Sequence, residues 1–129
     1  MKIKQFTLLT FLLFLSCFAV ACNEANGYEG AEVSIVSTTT ETRSKPNENK
    51  YTKWAIVKYT IENIGTKTLY GWAVSFNVSF QIGPQLRTSH NVYCTIEPGN
   101  VTTTQTTSFV IPSNHQNATG TVLNYIETW

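Results

Sequence analysis

Few side chains in this sequence combine the residue type and the spacing that catalysis or metal binding requires. The two histidines, His90 and His115, lie far apart in the chain, and no third nitrogen ligand or paired thiol stands at ligand spacing from either. A zinc site needs three or four ligands. We therefore expect both histidines to lie in surface loops, and we predict no metal site.

The acidic residues do not form a recognisable catalytic pattern. All eight are glutamates, and the absence of aspartate argues against an acidic calcium loop and against aspartate-based phosphoryl transfer. Glu62 and Glu97 stand near predicted strand ends, but nothing brings them to the separation of about 5–10 Å that a glycosidase pair needs. No Gly-x-Ser-x-Gly elbow or phosphate-binding glycine loop is present. We predict a non-catalytic protein with no catalytic residues and no cofactor.

The first 21 residues have the pattern of a secretory signal peptide. The chain begins Met-Lys-Ile-Lys, continues with an apolar run over residues 8–21, and reaches small residues at its end. Such a charged start, short apolar run and small-residue end are typical of a cleaved signal, which we expect to be helical. A membrane-spanning helix needs about 20 apolar residues, so an uncleaved anchor fits less well.

The cysteine that follows this run indicates a lipid anchor. Residues 19–22, Ala-Val-Ala-Cys, resemble the bacterial lipobox, in which the cysteine after the cleavage site receives lipid. The resemblance implies lipidation of Cys22, with palmitate among the acyl chains, and two or three such chains hold a protein firmly on a membrane. It also implies an extracytoplasmic lipoprotein of the bacterial cell envelope. A secreted protein with a Cys22–Cys94 disulfide is the alternative.

Two further features bear on partners and on the remaining thiol. Without residues 1–21, seven basic side chains face eight acidic ones, and no basic patch suggests nucleic acid. The alternation of Val92, Cys94 and Ile96 predicts that Cys94 points inward as a buried apolar thiol. The disulfide with Cys22 stays open as its alternative.

Residues 68–82 form the most strongly patterned stretch of the chain. Large apolar residues alternate there with small or polar ones, which predicts a β-strand with one buried face. Burying the large residues stabilises the fold by up to about 10 kcal/mol. These residues are Trp72, Val74, Phe76, Val78 and Phe80.

The rest of the chain is expected to supply the layer that covers this strand. Residues 22–30 are a short polar tether, and residues 31–129 form one domain. We predict strands over residues 31–37, 52–63, 88–96, 101–111 and 119–129, with an exposed loop over 40–51. The stretch 63–67 is predicted to be a hairpin turn into residues 68–82, with Gly65 at positive φ. Six to seven strands without helical periodicity indicate an antiparallel sandwich.

Several segments support a more specific resemblance. Residues 59–66 (Tyr-Thr-Ile-Glu-Asn-Ile-Gly-Thr), the strand at 72–80, Ile-Glu-Pro-Gly at 96–99 and Ser-Phe at 108–109 resemble bacterial immunoglobulin-like modules of the FxLyD and CARDB kind. The resemblance implies an immunoglobulin-like sandwich with an accessory or adhesion role outside the cytoplasm.

Aromatic residues are the best candidates for a binding site. Trp54 and Ile56 fall on the otherwise polar side of their strand, and with Tyr70 and Trp129 they form a candidate binding platform. Exposed aromatic rings stack on sugars or anchor a protein partner. The alternative is that neighbouring segments cover Trp54 and that Trp129 caps the core. We therefore predict a binding or adhesion module, with edge-strand assembly and carbohydrate binding as alternatives.

Overall fold

The computed structural model describes residues 30–45 and 50–129. The predicted signal peptide, Cys22 and most of the tether lie outside the described residues. Within them, no helix is long and apolar enough to cross a membrane. The strands are β1 (Ala31–Lys45), β2 (Lys50–Asn63), β3 (Trp72–Ile82), β4 (Leu86–Val92), β5 (Gln105–Val110) and β6 (Gln116–Thr128).

The six strands form two antiparallel sheets of three strands each. One sheet has the order β1-β2-β5 and the other has the order β4-β3-β6. β5 and β6 each pair with a strand that is distant in sequence, β5 with β2 and β6 with β3. The all-β, antiparallel prediction is therefore confirmed.

β3 forms the centre of the core. Trp72, Val74, Phe76 and Val78 are at most 1% exposed, and they pack against inward-facing residues of β2, including Tyr59. The two-residue periodicity of the sequence thus predicted the buried face of β3 correctly. Phe80, the fifth large residue, is half-buried near the end of the strand.

The predicted hairpin between β2 and β3 is wrong, because these strands belong to different sheets. Residues 64–71 cross from one sheet to the other. Gly65 does not adopt positive φ, whereas Gly83 and Gly99 do, at 108° and 84°. An Asn-x-Gly sequence is compatible with either a turn or a crossover, and local pattern alone does not distinguish them.

Asn63 holds this crossover together. Its side chain is fully buried, and its amide nitrogen donates to the carbonyl oxygens of Lys67 and Ile96 at 2.8 Å each. Its side-chain oxygen accepts from the Gly65 N–H at 3.0 Å. One side chain therefore bonds three backbone groups at the point where the backbone leaves the sheet. Two of these groups also have a backbone partner, since the Gly65 N–H donates to Gly30 and the Ile96 carbonyl accepts from Leu69.

The predicted loop over residues 40–51 is wrong for residues 40–45 and 50–51, because β1 extends to Lys45 and β2 begins at Lys50. Residues 46–49 lie outside the described residues. In this part of the hairpin Arg43 pairs with Thr52 and Ser44 pairs with Tyr51. Residues 41–44 of β1 and Tyr51 of β2 are exposed, so this part of the two strands needs no apolar alternation. Polar composition was therefore a misleading signal for a loop.

A β-bulge determines which residues of β6 face the core. Ser75 pairs with Tyr125 and Phe76 pairs with Leu123, so Asn124 has no opposite residue. An extra residue shifts the alternation by one position. Ile126 and Leu123 consequently both face the core, although strict alternation would put them on opposite sides.

The segment after β4 departs from the predicted strand over residues 88–96. β4 ends at Val92, so the alternation does not continue to Cys94, and its thiol is exposed rather than buried. Residues 97–100 form a turn, since the Asn100 N–H donates to the Glu97 carbonyl at 3.0 Å and Gly99 has positive φ.

Candidate functional site

Trp54 and Ile56 lie on the outer face of the β1-β2-β5 sheet. Both are half-buried, while their neighbour Ala55 is fully buried on the inner face. Trp54 stands directly between Glu41 of β1 and Val110 of β5. The central position of β2 thus gives the indole a neighbour on each side while its outer surface stays accessible.

A cavity of about 440 Å³ adjoins the Trp54 side chain. We call it the Trp54 cavity, and its lining is more apolar than polar. Its walls come from the ends of three neighbouring strands, because the pairing of Arg43 with Thr52 and of Val110 with Trp54 brings these side chains to one level of the sheet. The lining residues are Arg43, Ser44, Thr52, Trp54 and Val110.

Arg43 is held over the indole by two interactions. Its guanidinium carbon lies 4.5 Å from the centre of the Trp54 ring, within the range of a cation–π contact. Its Nη2 and Nε also donate to one oxygen of Glu41, at 3.2 and 3.4 Å. Arg43 therefore covers part of one indole face, and a ligand in the cavity meets an aromatic surface, a cation and two hydroxyl groups.

Tyr70 and Trp129 lie together elsewhere in the molecule. The Tyr70 N–H donates to the Trp129 carbonyl at 2.6 Å, and the Trp129 ring packs against Tyr93 with centroids 5.5 Å apart. The indole also lies over Gly71, where an added Cβ would approach its Nε1 to 2.7 Å. Tyr93 and Trp129 thus form an aromatic cluster at the end of the sheet, and Tyr70 is joined to it through its backbone N–H.

The predicted platform is therefore divided between two surfaces. Trp54 lies at the level of Phe80 in β3. Its neighbour Ala55 pairs with Thr40, the Thr40 hydroxyl accepts from the Ala118 N–H, and Ala118 pairs with Phe80. Trp129 follows the residue that pairs with Trp72. Trp72 and Phe80 are separated by about 26 Å along an extended strand, so one ligand ring does not contact Trp54 and Trp129 together.

His90 is not a surface-loop histidine, contrary to expectation. It lies in β4, half-buried, and its Nδ1 is 2.6 Å from the Tyr59 hydroxyl. That hydroxyl also accepts from the Trp72 indole N–H at 3.0 Å. In the His90 tautomer that carries its hydrogen on Nε2, Nδ1 accepts a hydrogen bond from the Tyr59 hydroxyl. Burial lowers the pKa of His90, so it is neutral at physiological pH.

The pKa of Tyr59 is also shifted. Burial raises the pKa of its hydroxyl, and the hydrogen bond from Trp72 opposes this in part. The hydroxyl therefore stays protonated and acts as a link between the two sheets, with no role in proton transfer evident from its surroundings.

His115 is also buried, and its ring packs against the turn between β3 and β4. Its Nε2 donates to the Pro84 carbonyl at 2.9 Å, and its ring packs edge-on against Phe80. Gly83 leaves the space, since an added Cβ there would lie 2.6 Å from the imidazole. Both histidines thus serve the packing of the fold, a use that local sequence did not reveal.

The remaining candidate groups for chemistry are dispersed. No set of three or more His, Cys or Glu side chains within the described ranges is arranged to hold a metal ion. Glu62 pairs with Glu32 within the sheet, whereas Glu97 accepts a hydrogen bond from the Thr68 hydroxyl at 2.9 Å. Comparison with protein-family models, curated proteins and solved structures gave no match.

The sequence indicated Trp54 as a binding residue but missed the other residues of its cavity. Arg43 and Ser44 fell in the expected loop, and Thr52 and Val110 looked like ordinary strand residues. Extending the β1–β2 register beyond the core would have placed Arg43 beside Thr52. The position of Val110 depends on the long-range pairing of β2 with β5, which no local signal predicts.

Proposed function

We propose that this protein is a lipid-anchored, non-catalytic binding module of the bacterial cell envelope, displayed outside the cytoplasm. The observation that supports it is the Trp54 cavity, in which an indole, a guanidinium and two hydroxyl groups line one concave surface. Such a mixture of an apolar wall with a few polar groups is typical of ligand sites.

Carbohydrate is the ligand class that fits this lining best. Sugar rings present flat C–H surfaces that pack on an indole, and their hydroxyl groups exchange hydrogen bonds with hydroxyl and guanidinium groups. Thr52 and Arg43 supply such groups directly beside Trp54. The half-buried indole loses little side-chain freedom on binding, which favours its use as an anchor.

NMR titration tests this site. The full-length chain, purified in a detergent without a sugar head group, would be titrated with soluble oligosaccharides while the indole N–H signals of its three tryptophans are followed. We expect the Trp54 signal to shift, and we expect the signals of buried Trp72 and of Trp129 to keep their chemical shifts. The substitution Trp54→Ala should abolish the remaining shifts, which are expected in the Thr52 and Val110 amides.

Tyr93→Ala provides the matched control, because Tyr93 is 83% exposed and lies in the aromatic cluster with Trp129. It should leave binding unchanged. Shifts confined to Trp129 and its surroundings would transfer the ligand site to that cluster, and no shift with any sugar would refute the carbohydrate assignment.

The membrane anchor is proposed on the lipobox-like segment. Cys22 would carry the acyl chains, and residues 23–30 would connect it to β1. Mass spectrometry of the mature N-terminus should find an acylated cysteine as the first residue, and Cys22→Ser should release the protein from the membrane fraction. An unmodified N-terminus with a Cys22–Cys94 disulfide would favour the secreted alternative.

We further infer that the sandwich is immunoglobulin-like. In such domains strand B lies between A and E, and strand C lies between C′ and F. The orders β1-β2-β5 and β4-β3-β6 have the same arrangement, and the buried Trp72 occupies strand C, where antibody domains carry a core tryptophan. Contacts of Val57 with Thr107 in NMR spectra would support this order, and contacts between β2 and β3 within one sheet would contradict it.

A further inference from the structure

The first strand enters the sandwich at one end, next to the crossover between the sheets. β1 begins at Ala31, which pairs with Asn63, the last residue of β2. The Gly30 carbonyl accepts from the N–H groups of Ile64 and Gly65, at 2.9 and 3.1 Å. Residue 30 is therefore held against the first residues of the crossover, and the segment before it joins the domain at this end.

The aromatic cluster lies at the same end. β1 and β6 run in opposite directions, because the Thr38 hydroxyl lies 2.7 Å from that of Thr121 while the Thr40 hydroxyl accepts from the Ala118 N–H. Seven residues separate the start of β1 from Thr38, and seven separate Thr121 from the end of β6. Each of these stretches contains one bulge. Because the rise per residue is the same in both strands, the start of β1 and the end of β6, which Trp129 follows, reach the same level.

Large apolar side chains are grouped at this end. The Trp129 ring lies over Gly71 and packs against Tyr93, so it crosses the end of the β4-β3-β6 sheet. Exposed apolar side chains grouped in this way mark an interaction surface. We call this surface the aromatic end, and its exposed residues are Ile64, Tyr70, Tyr93 and Trp129.

The opposite end of the sandwich has a different character. Its turns expose Gly-Pro-Gln at residues 83–85 and Pro-Ser-Asn at residues 112–114, and these turns carry no aromatic ring. The Trp54 cavity lies toward this end, because Trp54 is at the level of Phe80. The aromatic end and the Trp54 cavity are therefore on opposite parts of the molecule.

The charges of the aromatic end do not favour a charged partner. Residues 64–71, 93–101 and 128–129 contain one lysine, Lys67, and one glutamate, Glu97, so contact with this surface depends on its apolar side chains. Tyrosine and tryptophan combine an apolar ring with a polar tip, and they are enriched where a membrane meets water.

The length of the segment before β1 identifies the surface that this end meets. Gly30 is eight residues after Cys22, the cysteine for which we propose the lipid anchor. Eight residues span at most about 29 Å, and the sandwich measures about 26 Å between Trp72 and Phe80 along β3. The far end would reach the membrane only with this segment fully extended, whereas the aromatic end lies next to the point at which the segment joins the domain.

We propose that the aromatic end docks on the lipid bilayer that holds the anchor, with the rings of Tyr93 and Trp129 among the lipid head groups. This inference rests on the anchor proposed above. Docking in this way orients the sandwich, because the Trp54 cavity then faces away from the membrane, where a ligand outside the cell envelope membrane reaches it. The partner of the aromatic end is thus a lipid surface, and apolar contact supplies the affinity.

Quenching by brominated lipid tests this orientation. The full-length chain, purified from membranes in detergent, would be reconstituted into phosphatidylcholine vesicles that carry bromine in the upper part of the acyl chains, where it quenches indole fluorescence at close range. A Trp54→Phe chain should lose emission relative to the same chain in vesicles without bromine, because Trp129 reaches the lipid. A Trp129→Phe chain, which keeps Trp54 and the buried Trp72, should lose none.

A second substitution tests the surface without changing the reporter. In the Trp54→Phe chain, Tyr93→Ser should reduce the bromine quenching severalfold. The matched control is Tyr51→Ser, because Tyr51 is 78% exposed near the start of β2 and lies away from the aromatic end. It should leave the quenching unchanged.

Flotation of the vesicles separates this proposal from the anchor. A chain that does not float with the vesicles refutes the anchor and the docking together. A chain that floats but has equal emission with and without bromine, or in which Trp54 is quenched instead, overturns the docking alone. Protection of Trp129 from iodide without bromine quenching would assign the surface to a protein partner and would overturn the docking as well.

Discussion

Replacing Asn63 with aspartate tests whether the crossover between the sheets depends on one buried amide. The two side chains have nearly the same shape, so packing is preserved. The change replaces the nitrogen that donates to the Lys67 and Ile96 carbonyls with an oxygen, while the bond from the Gly65 N–H is kept. Both carbonyl oxygens then face an oxygen, and the Ile96 carbonyl keeps only the Leu69 N–H as its donor.

The expected loss follows from these contacts. Two hydrogen bonds are lost, each worth about 0.5–1.5 kcal/mol, and a carboxylate in a fully buried site is penalised further. We expect Asn63→Asp to reduce the free energy of unfolding by about 3–5 kcal/mol at pH 7. That is a large part of the 5–15 kcal/mol typical of a domain of this size.

The loss should also depend on pH in a defined direction. Burial and the facing carbonyls raise the pKa of the introduced carboxyl above the value of about 3.9 that it has in the unfolded chain. The folded state then holds a proton that the unfolded state has released, so stability falls as pH rises above about 4. Near pH 4 the protonated carboxyl can donate to one carbonyl, and the deficit should shrink.

Urea unfolding followed by the fluorescence of buried Trp72 measures the deficit at pH 4, 5, 6 and 7. Asn91→Asp serves as the control, because Asn91 is exposed on β4, and its effect should stay within about 0.5 kcal/mol. An Asn63→Asp deficit of the same size as the control, or one that does not change with pH, would refute the role assigned to this amide.

Three further substitutions test the packing of the two sheets. Tyr59→Phe removes the hydroxyl that accepts from the buried Trp72 indole N–H. That N–H then has no partner, which should cost about 2–3 kcal/mol in urea unfolding. Because the pKa of His90 is lowered in the folded state, stability should fall as pH drops from 7 through the unfolded value of about 6.5, and His90→Gln should reduce this pH dependence. Gly71→Ala places a Cβ 2.7 Å from the Val92 carbonyl and from the Trp129 ring, so it should cost about 1–3 kcal/mol and shift tryptophan emission to longer wavelength. Gly120→Ala, where an added Cβ contacts nothing within 4 Å, should change neither stability nor emission.

The candidate site was predicted only in part. The side of β2 on which Trp54 lies follows from alternation, since Ala55 and Val57 on the opposite side are both fully buried. Arg43 lies above Trp54 and Val110 lies beside it because β2 pairs with β1 before it and with β5 after it in the chain. Side-chain type indicated a binding residue, and strand pairing determined what surrounds it.

Periodicity in the sequence determined the class of this fold. Alternation with a period of two residues imposes extended backbone on residues 72–80, and five large apolar side chains on one face require a covering layer, whatever the order of the strands. The turn at Pro98 and Gly99 likewise depends on local sequence, because proline restricts φ and glycine tolerates positive φ within the turn itself.

Tertiary structure alone decided which strands are neighbours and where the exceptions to alternation lie. β2 and β3 lie in two sheets, and the crossover between them is bonded through the buried Asn63 to the carbonyl of Ile96, far along the chain. His115 is buried because Gly83 and Phe80 leave space for its ring, and Leu123 faces inward because a bulge shifts its register. These outcomes depend on contacts between distant segments, and a local pattern carries no information about which distant segment will supply the partner.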